Sequence, residues 1–301
     1  MNVRRLLAYA AIYLLWGATY LAVRTIVLVT PPFSAAAFRF LLSGLILLGI
    51  SRLSKEPRPT RIEWINCAKL GFVMFFINYA CFFWAEKRLY SGIAAVVVST
   101  MSVWIFLAEW LITRTQKLSL GILVGSALGI SGVVLLTHSA KVSASNPATT
   151  HLATVVLLSG TIAWSAGSVW SRSLRLPAQQ SARSALQMAT GGLYLGIFAI
   201  AVGETRPFLA SLHEWTAVTW LCFAYLIVAS IVAFTAYTWL LEHEPAGRVA
   251  SYAYVNPLVA ITLGIALGNE HFGGWQFTGA ALVLLGVFAT LKTKQQALKA
   301  G

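Results

Sequence analysis

Apolar runs of about 20 residues recur along this chain, separated by short polar connections. Ten of them are predicted as helices: Leu6–Val29, Phe33–Leu53, Ile65–Ala85, Tyr90–Ile112, Leu118–His138, His151–Ser173, Ala182–Val202, Glu214–Leu241, Pro245–Gly268 and Trp275–Lys292. At about 1.5 Å per residue each can cross a hydrocarbon core of about 30 Å. The ninth run breaks its own pattern. Its stretch SYAYVNPLVA holds Tyr252, Asn256 and Pro257. Proline removes a backbone donor, so a bend is predicted at Pro257, with Asn256 helping to satisfy the groups left open.

The runs repeat. Trp84 and Gly92 align without a gap onto Trp239 and Gly247, an offset of 155. GSALGISGVVLL from Gly125 matches GAALVLLGVFAT from Gly279. LLWGATY pairs more loosely with TIAWSAG, which sets Trp16 against Trp164. Residues 1–140 and 151–293 thus form two five-helix repeats, with 294–301 a short tail. Five is odd, so the halves cross the membrane in opposite senses, an architecture of secondary transporters. Gly121, Gly125, Gly129 and Gly132, echoed by Gly279 and Gly286, predict close packing of the fifth and tenth spans.

Composition agrees. The 301 residues are 58 % hydrophobic and 10 % charged, with no aspartate. Mean hydropathy is +0.76. A solvated face cannot be built from so little charge. Net charge is +13, but the basic residues sit in connections and form no basic face, which excludes nucleic acid. With the N-terminus taken as one side, that side receives 16 of the 22 Lys and Arg residues. The positive-inside rule then places both termini in the cytoplasm. The first run is too long for a signal h-region and reads as an uncleaved span. Cys67, Cys81 and Cys222 have neither disulfide nor ligand spacing and read as packing residues.

IYLLWGATYLAVR, AAAFRFLLSGLILL, SGIAAVVVST and SYAYVNPLVAITLGIALGNE together resemble the EamA-type drug/metabolite transporters. The resemblance covers essentially the whole chain. It implies a ten-helix, multi-pass protein of the bacterial inner membrane, with a central cavity between two inverted halves. It also implies transport of small molecules without fixing the substrate. One departure stands out: where that family usually has proline in its fourth span, this chain has Ser102. Any helix break is therefore expected on one side only, at Pro257.

No catalytic or metal-ligating arrangement is present, and neither enzyme activity nor a cofactor is expected. Polar and aromatic residues at mid-membrane depth usually face a cavity. They nominate a substrate site of Trp16, Thr19, Tyr20, Asn78, Tyr79, Phe82, Met101, Trp104, Trp164, Tyr237, Tyr252 and Asn256. Tyr252 and Asn256 share a helical face, and lipid exposure would strand both. The competing role for a tryptophan near a span end is an interfacial anchor, which is expected for Trp64, Trp110, Trp215 and Trp275. Such a cavity suits a neutral or zwitterionic solute with an apolar part.

Three charges lie inside apolar runs. Glu109 is a candidate for proton coupling, against a helix-interface hydrogen bond or pairing with Arg114. Arg24 and Arg39 are each expected either to snorkel outward or to meet a substrate carboxylate, with Arg39 the stronger candidate for a functional role. Glu86 reads as a span-ending charge. The leading expectation is export of amino acids or related apolar or aromatic solutes by alternating access. The alternatives are a carrier for drugs or cations and a non-transporting receptor or scaffold. Expected partners are the small solute, the bilayer and, as coupling ion, protons. The chain is expected as a monomer or weak homodimer.

Overall fold

A computed structural model describes residues 3–53, 58–113, 120–138, 147–244, 249 and 251–300. Lys55, Arg114, Lys117, Lys141, Arg248 and the predicted start of the ninth run at Pro245 lie outside them. The described residues are helical and contain no strand. The helices are α1 (Val3–Val29), α2 (Pro32–Leu53), α3 (Arg61–Glu86), α4 (Ser91–Leu111), α5 (Leu120–His138), α6 (Pro147–Trp170), α7 (Gln180–Ala201), α8 (Ala217–His243), α9 (Tyr252–Leu267) and α10 (Gly274–Ala300). Among the described residues, seven helical segments are long and apolar enough to cross a membrane. The apolar parts of α5, α9 and α10 (Leu123–Leu136, Tyr252–Leu267 and Gly274–Thr290) are shorter.

The packing follows the repeat. α2 lies along α7, α5 along α10, and α4 against α9. α3 meets α6 as α8 meets α1, and α4 meets α6 as α9 meets α1. Each of these contacts joins the two halves. The opposite sense of the halves is visible along α4. Arg24, late in α1, donates to the carbonyl of Leu89, just before α4 begins. Arg172, just after α6, donates to Glu109 near its other end. At 1.5 Å per residue those ends are roughly 27 Å apart, so α1 and α6 run in opposite directions.

The ninth helix is not broken at Pro257 itself: its run turns before that residue, at Ser251, and the fourth helix is interrupted as well. α9 continues through Pro257 from Tyr252 to Leu267. α4 is interrupted at Thr100, between Ser91–Ser99 and Met101–Ala108. Hydroxyls compete with the backbone there: Ser99 donates to the Val96 carbonyl at 2.6 Å and Thr100 to the Val97 carbonyl at 2.7 Å. Without proline, three hydroxyl residues in four positions loosen the ladder.

Two other expectations change with burial. Trp215 is no interfacial anchor: it is buried and donates to Thr30 Oγ1 at 2.9 Å. Trp64, Trp110 and Trp275 are exposed, as an anchor requires. Arg24 and Arg39 are both buried and do not snorkel. Glu86 is also fully buried rather than a solvated span end.

Small residues do set the contact of α5 with α10. A Cβ on Gly132 would lie 2.7 Å from both the Gly279 carbonyl oxygen and the Val283 nitrogen. Backbone cannot yield to it. Gly129 has nothing within 4 Å of the same added atom. Gly132→Val is therefore expected to cost about 1–3 kcal/mol as overpacking, read as a lowered melting temperature in detergent. Gly129→Ala should leave the melt unchanged; equal losses in both variants would refute close packing as the cause.

Candidate functional site

α1 departs from regular helix geometry at Ala11–Leu15, one wide π turn. Such turns often occur at functional sites. Here its carbonyls are taken by the other half of the molecule. Tyr225 on α8 donates its hydroxyl to the Leu15 carbonyl at 2.6 Å. With its amide nitrogen turned toward acceptors, Asn256 on α9 donates to the carbonyls of Ile12 and Tyr13, both at 3.1 Å. Asn256 thus satisfies backbone across the helix interface, not the groups beside Pro257. Tyr13 adds a hydroxyl contact to Ser251 Oγ at 2.6 Å. These bonds hold α1 against α8 and α9 and aim Trp16 inward.

Trp16 opens a wall of rings. Its centroid is 5.2 Å from Tyr237, 5.3 Å from Tyr252 and 6.3 Å from Phe234. The repeat counterpart Trp164 is 6.5 Å from Phe234 and 6.0 Å from Tyr79. Tyr79 lies 6.0 Å from Phe82, which is 5.5 Å from Tyr20. The offset of 155 sets Tyr79 against Phe234, so Trp16–Phe234 and Trp164–Tyr79 are equivalent contacts. Edge-on ring pairs of this kind hold a rigid apolar surface.

The rings enclose a cavity of about 430 Å³ between the halves. Of the substrate-site residues expected from sequence, Trp16, Thr19, Tyr20, Asn78, Tyr79, Phe82, Met101, Trp164, Tyr237, Tyr252 and Asn256 line it, as does Arg39. Trp104 does not. Its indole N–H turns back to Thr100 Oγ1 at 3.1 Å, at the break in α4. Further lining comes from Met74, Ile105, Thr161 and Gln187, and from Arg172, Gln180 and Arg183 near the α6–α7 connection. Gln187 had a signal in the sequence, because it aligns with Arg39. Arg172 and Arg183 had none, because they read as loop charges.

The two ends of the cavity differ. Beyond its deep end, Arg24 Nε is 3.4 Å from Glu270 Oε1, with the side chains 7 % and 0 % exposed. Arg24 also donates to the Glu86 carbonyl at 3.0 Å and to that of Leu89. Glu270 accepts from the backbone N–H of Ser91 at 2.7 Å and of Gly92 at 3.2 Å, capping the start of α4. This cluster ties α1, α3, α4 and the end of α9 together. At the other end Arg172 Nη1 donates to Glu109 Oε1 at 2.7 Å, with the arginine side chain 62 % exposed and lining the mouth. Glu109 is buried and paired with Arg172 across the halves, while Arg114 lies outside the described residues. Trp16 to Trp164 is an offset of 148, and so is Arg24 to Arg172. α1–α9 contacts map onto α6–α4 contacts under the repeat. The two arginines are thus counterparts at opposite ends, whereas the offset of 155 sets Glu109 against Gly264 and not Glu270; one pair is buried and one opens to the mouth.

The EamA-like transporter family matches residues 5–138 and 151–292. The chain belongs to that family. The two matched segments coincide with the two packed halves. This EamA-family chain is 32 % identical over 293 residues to the "Uncharacterized inner membrane transporter YedA" of Escherichia coli K12, covering 95 % of this chain and 92 % of that one. It is 23 % identical over 285 residues to a "Probable amino-acid metabolite efflux pump" of the same organism, covering 92 % and 91 %. A solved structure titled "Crystal structure of protein" superposes with a TM-score of 0.66 at 19 % identity, covering 99 % of both chains, which shows a common fold.

Asn256→Leu removes the donor that two α1 carbonyls share. Leaving buried acceptors unmet costs about 1–3 kcal/mol. A lowered melting temperature is expected, together with faster amide exchange over residues 11–16. Exchange unchanged there would show that the amide does not hold the wide turn.

Proposed function

We propose that this membrane transporter is a secondary carrier for small metabolites, amino acids or related apolar or aromatic solutes among them, and that it works by alternating access. One observation carries the reading. An aromatic cavity lies between two oppositely running halves, sealed at one end by a buried Arg–Glu pair and open at the other beside the second pair. Its volume is in the range of small-molecule sites. The relative named as an amino-acid metabolite efflux pump supports the substrate range. The excess of Lys and Arg on the open side argues that this end faces the cytoplasm, so that the conformation is the loading state of an exporter.

The two pairs act as exchangeable latches. In the present conformation Arg24–Glu270 closes one face. When the halves rock, Arg172 moves inward to the carbonyls at the end of α8, as Arg24 does at the end of α3. Glu109 belongs to that latch in this reading, which leaves the proton-coupling role without support of its own. A drug or cation carrier is the weaker reading, because no carboxylate among the described residues lines the cavity.

Purified protein in proteoliposomes is expected to show saturable counterflow of at least one solute in a panel of amino acids, nucleosides and aromatic acids and amines. No flux for any of them, from protein that melts cooperatively, would sink the carrier reading. Glu270→Gln removes the charge that holds the start of α4. Amide exchange at Ser91 and Gly92 is expected to rise about tenfold, in line with the loss of a charged acceptor. Glu109→Gln should leave those amides alone. An unchanged rate in Glu270→Gln would overturn the latch.

A further inference from the structure

The charges around the cavity are unevenly matched. Arg172 has Glu109 at 2.7 Å. Arg183 spends its Nε and Nη2 on the Pro177 carbonyl, at 3.2 and 2.9 Å. Arg39, at the closed end, has neither kind of partner. Its Nε donates to Ser230 Oγ at 3.0 Å, and that hydroxyl passes its own proton to the Leu226 carbonyl at 2.7 Å. Its guanidinium carbon lies 4.8 Å from the Phe40 ring centre and 5.7 Å from that of Tyr79. The residue is 4 % exposed. No carboxylate among the described residues pairs with it, and its two terminal nitrogens make no hydrogen bond to them.

A cation buried this far from water calls for an anion. The terminal edge of a guanidinium offers two parallel N–H groups that match one carboxylate. The rings beside it prescribe the rest of the ligand. Tyr79 flanks the guanidinium, and Phe82 and Tyr20 continue the surface. A flat or apolar body attached to a carboxylate fits this strip. Gln187 also lines the cavity, at the position where the repeat would place a second arginine. At these repeat-related positions the cavity holds a cation on one side of the pseudo-twofold axis and a neutral amide on the other; Arg172 and Arg183 stand at the mouth, held by Glu109 and by the Pro177 carbonyl.

No lining residue carries a charge that answers a positive one. The chain has no aspartate. None of the described glutamates lines the cavity, and Glu109, Glu244 and Glu270 are paired with arginines elsewhere. An ammonium entering here meets ring faces but also an unneutralised guanidinium.

We propose that the cavity selects aromatic and apolar monocarboxylates, with the carboxylate on Arg39, and does not recognise an ammonium group. The amino acids of the carrier reading then bind through their acid end alone, and their des-amino analogues bind better. This inference rests on that reading for the identity of the site.

Four solutes with one ring and similar chains separate the charges: 3-phenylpropionate, phenylalanine, phenethylamine and the neutral 3-phenylpropionamide. Calorimetric titration of the protein in nanodiscs avoids leakage of weak acids through the bilayer. The expected order is 3-phenylpropionate about tenfold or more tighter than phenylalanine, with phenethylamine not bound. Arg39→Gln should weaken 3-phenylpropionate by about 10- to 100-fold, the range for a lost charge-assisted pair, and leave the amide within about threefold. Arg39→Lys should keep the preference in weaker form. Ser230→Ala frees Nε without touching the charge and should keep the preference in full, which separates a binding role from a folding one. Phenylalanine binding as tightly as the acid, or an unaltered preference in Arg39→Gln, overturns the charge assignment and leaves the carrier reading standing. Failure of all four solutes overturns the assignment too. The carrier reading falls only if the wider counterflow panel is also silent.

Discussion

The buried contact of Arg24 with Glu270 organises one end of this molecule. Glu270 neutralises an arginine that could not stay in an apolar interior alone, and its two oxygens meet the first amides of α4. Arg24 in turn reaches carbonyls at the corner between α3 and α4. Four segments from both halves are thereby held at one point. The small residues around it are part of the same constraint. A Cβ on Gly264 would lie 2.4 Å from Glu270 Oε2, and one on Gly92 2.8 Å from Ile261 Cγ1. With this end closed, the cavity can open only at the other.

The inverted repeat explains why the other end carries the same chemistry. Arg172 and Glu109 occupy the equivalent helices, yet the arginine is largely solvated. A pair in water contributes little, and the same pair buried is held firmly or not at all. The symmetry is incomplete where the ligand would sit. The repeat sets Arg39 against Gln187 and Met101 against Asn256, so equivalent positions carry different side chains. A site that must orient an asymmetric solute cannot be symmetric itself.

Much of the cavity was legible from the sequence. Polar and aromatic residues deep in apolar runs are costly unless they face protein or a cavity, and that rule alone found Tyr20, Asn78, Tyr79, Tyr252 and Asn256. It failed for Trp104, because a nearby hydroxyl satisfied the indole within one helix. It also failed for Arg172 and Arg183, which look like ordinary loop charges until the chain folds them over the mouth. Pro257 was a sound reason to expect a break. The ninth run does turn ahead of it, at Ser251, and the fourth helix is interrupted at Thr100, where side chains that bond back to carbonyls weaken a helix without any proline.

The sequence by itself determined the membrane class, the helical runs, the duplication and the close approach of α5 to α10. These follow from hydropathy, period and the placement of small residues, all of which are local. It also narrowed the cavity to particular faces, because polarity inside lipid is expensive wherever it occurs. Tertiary structure alone decided which charge meets which. Arg24 lies 246 positions before Glu270, and Glu109 lies 63 before Arg172. It decided that Arg39 stands without a carboxylate among the described residues and that one end of the cavity is sealed. Ion pairing depends on distances of a few ångströms between remote segments, and no pattern along the chain records them.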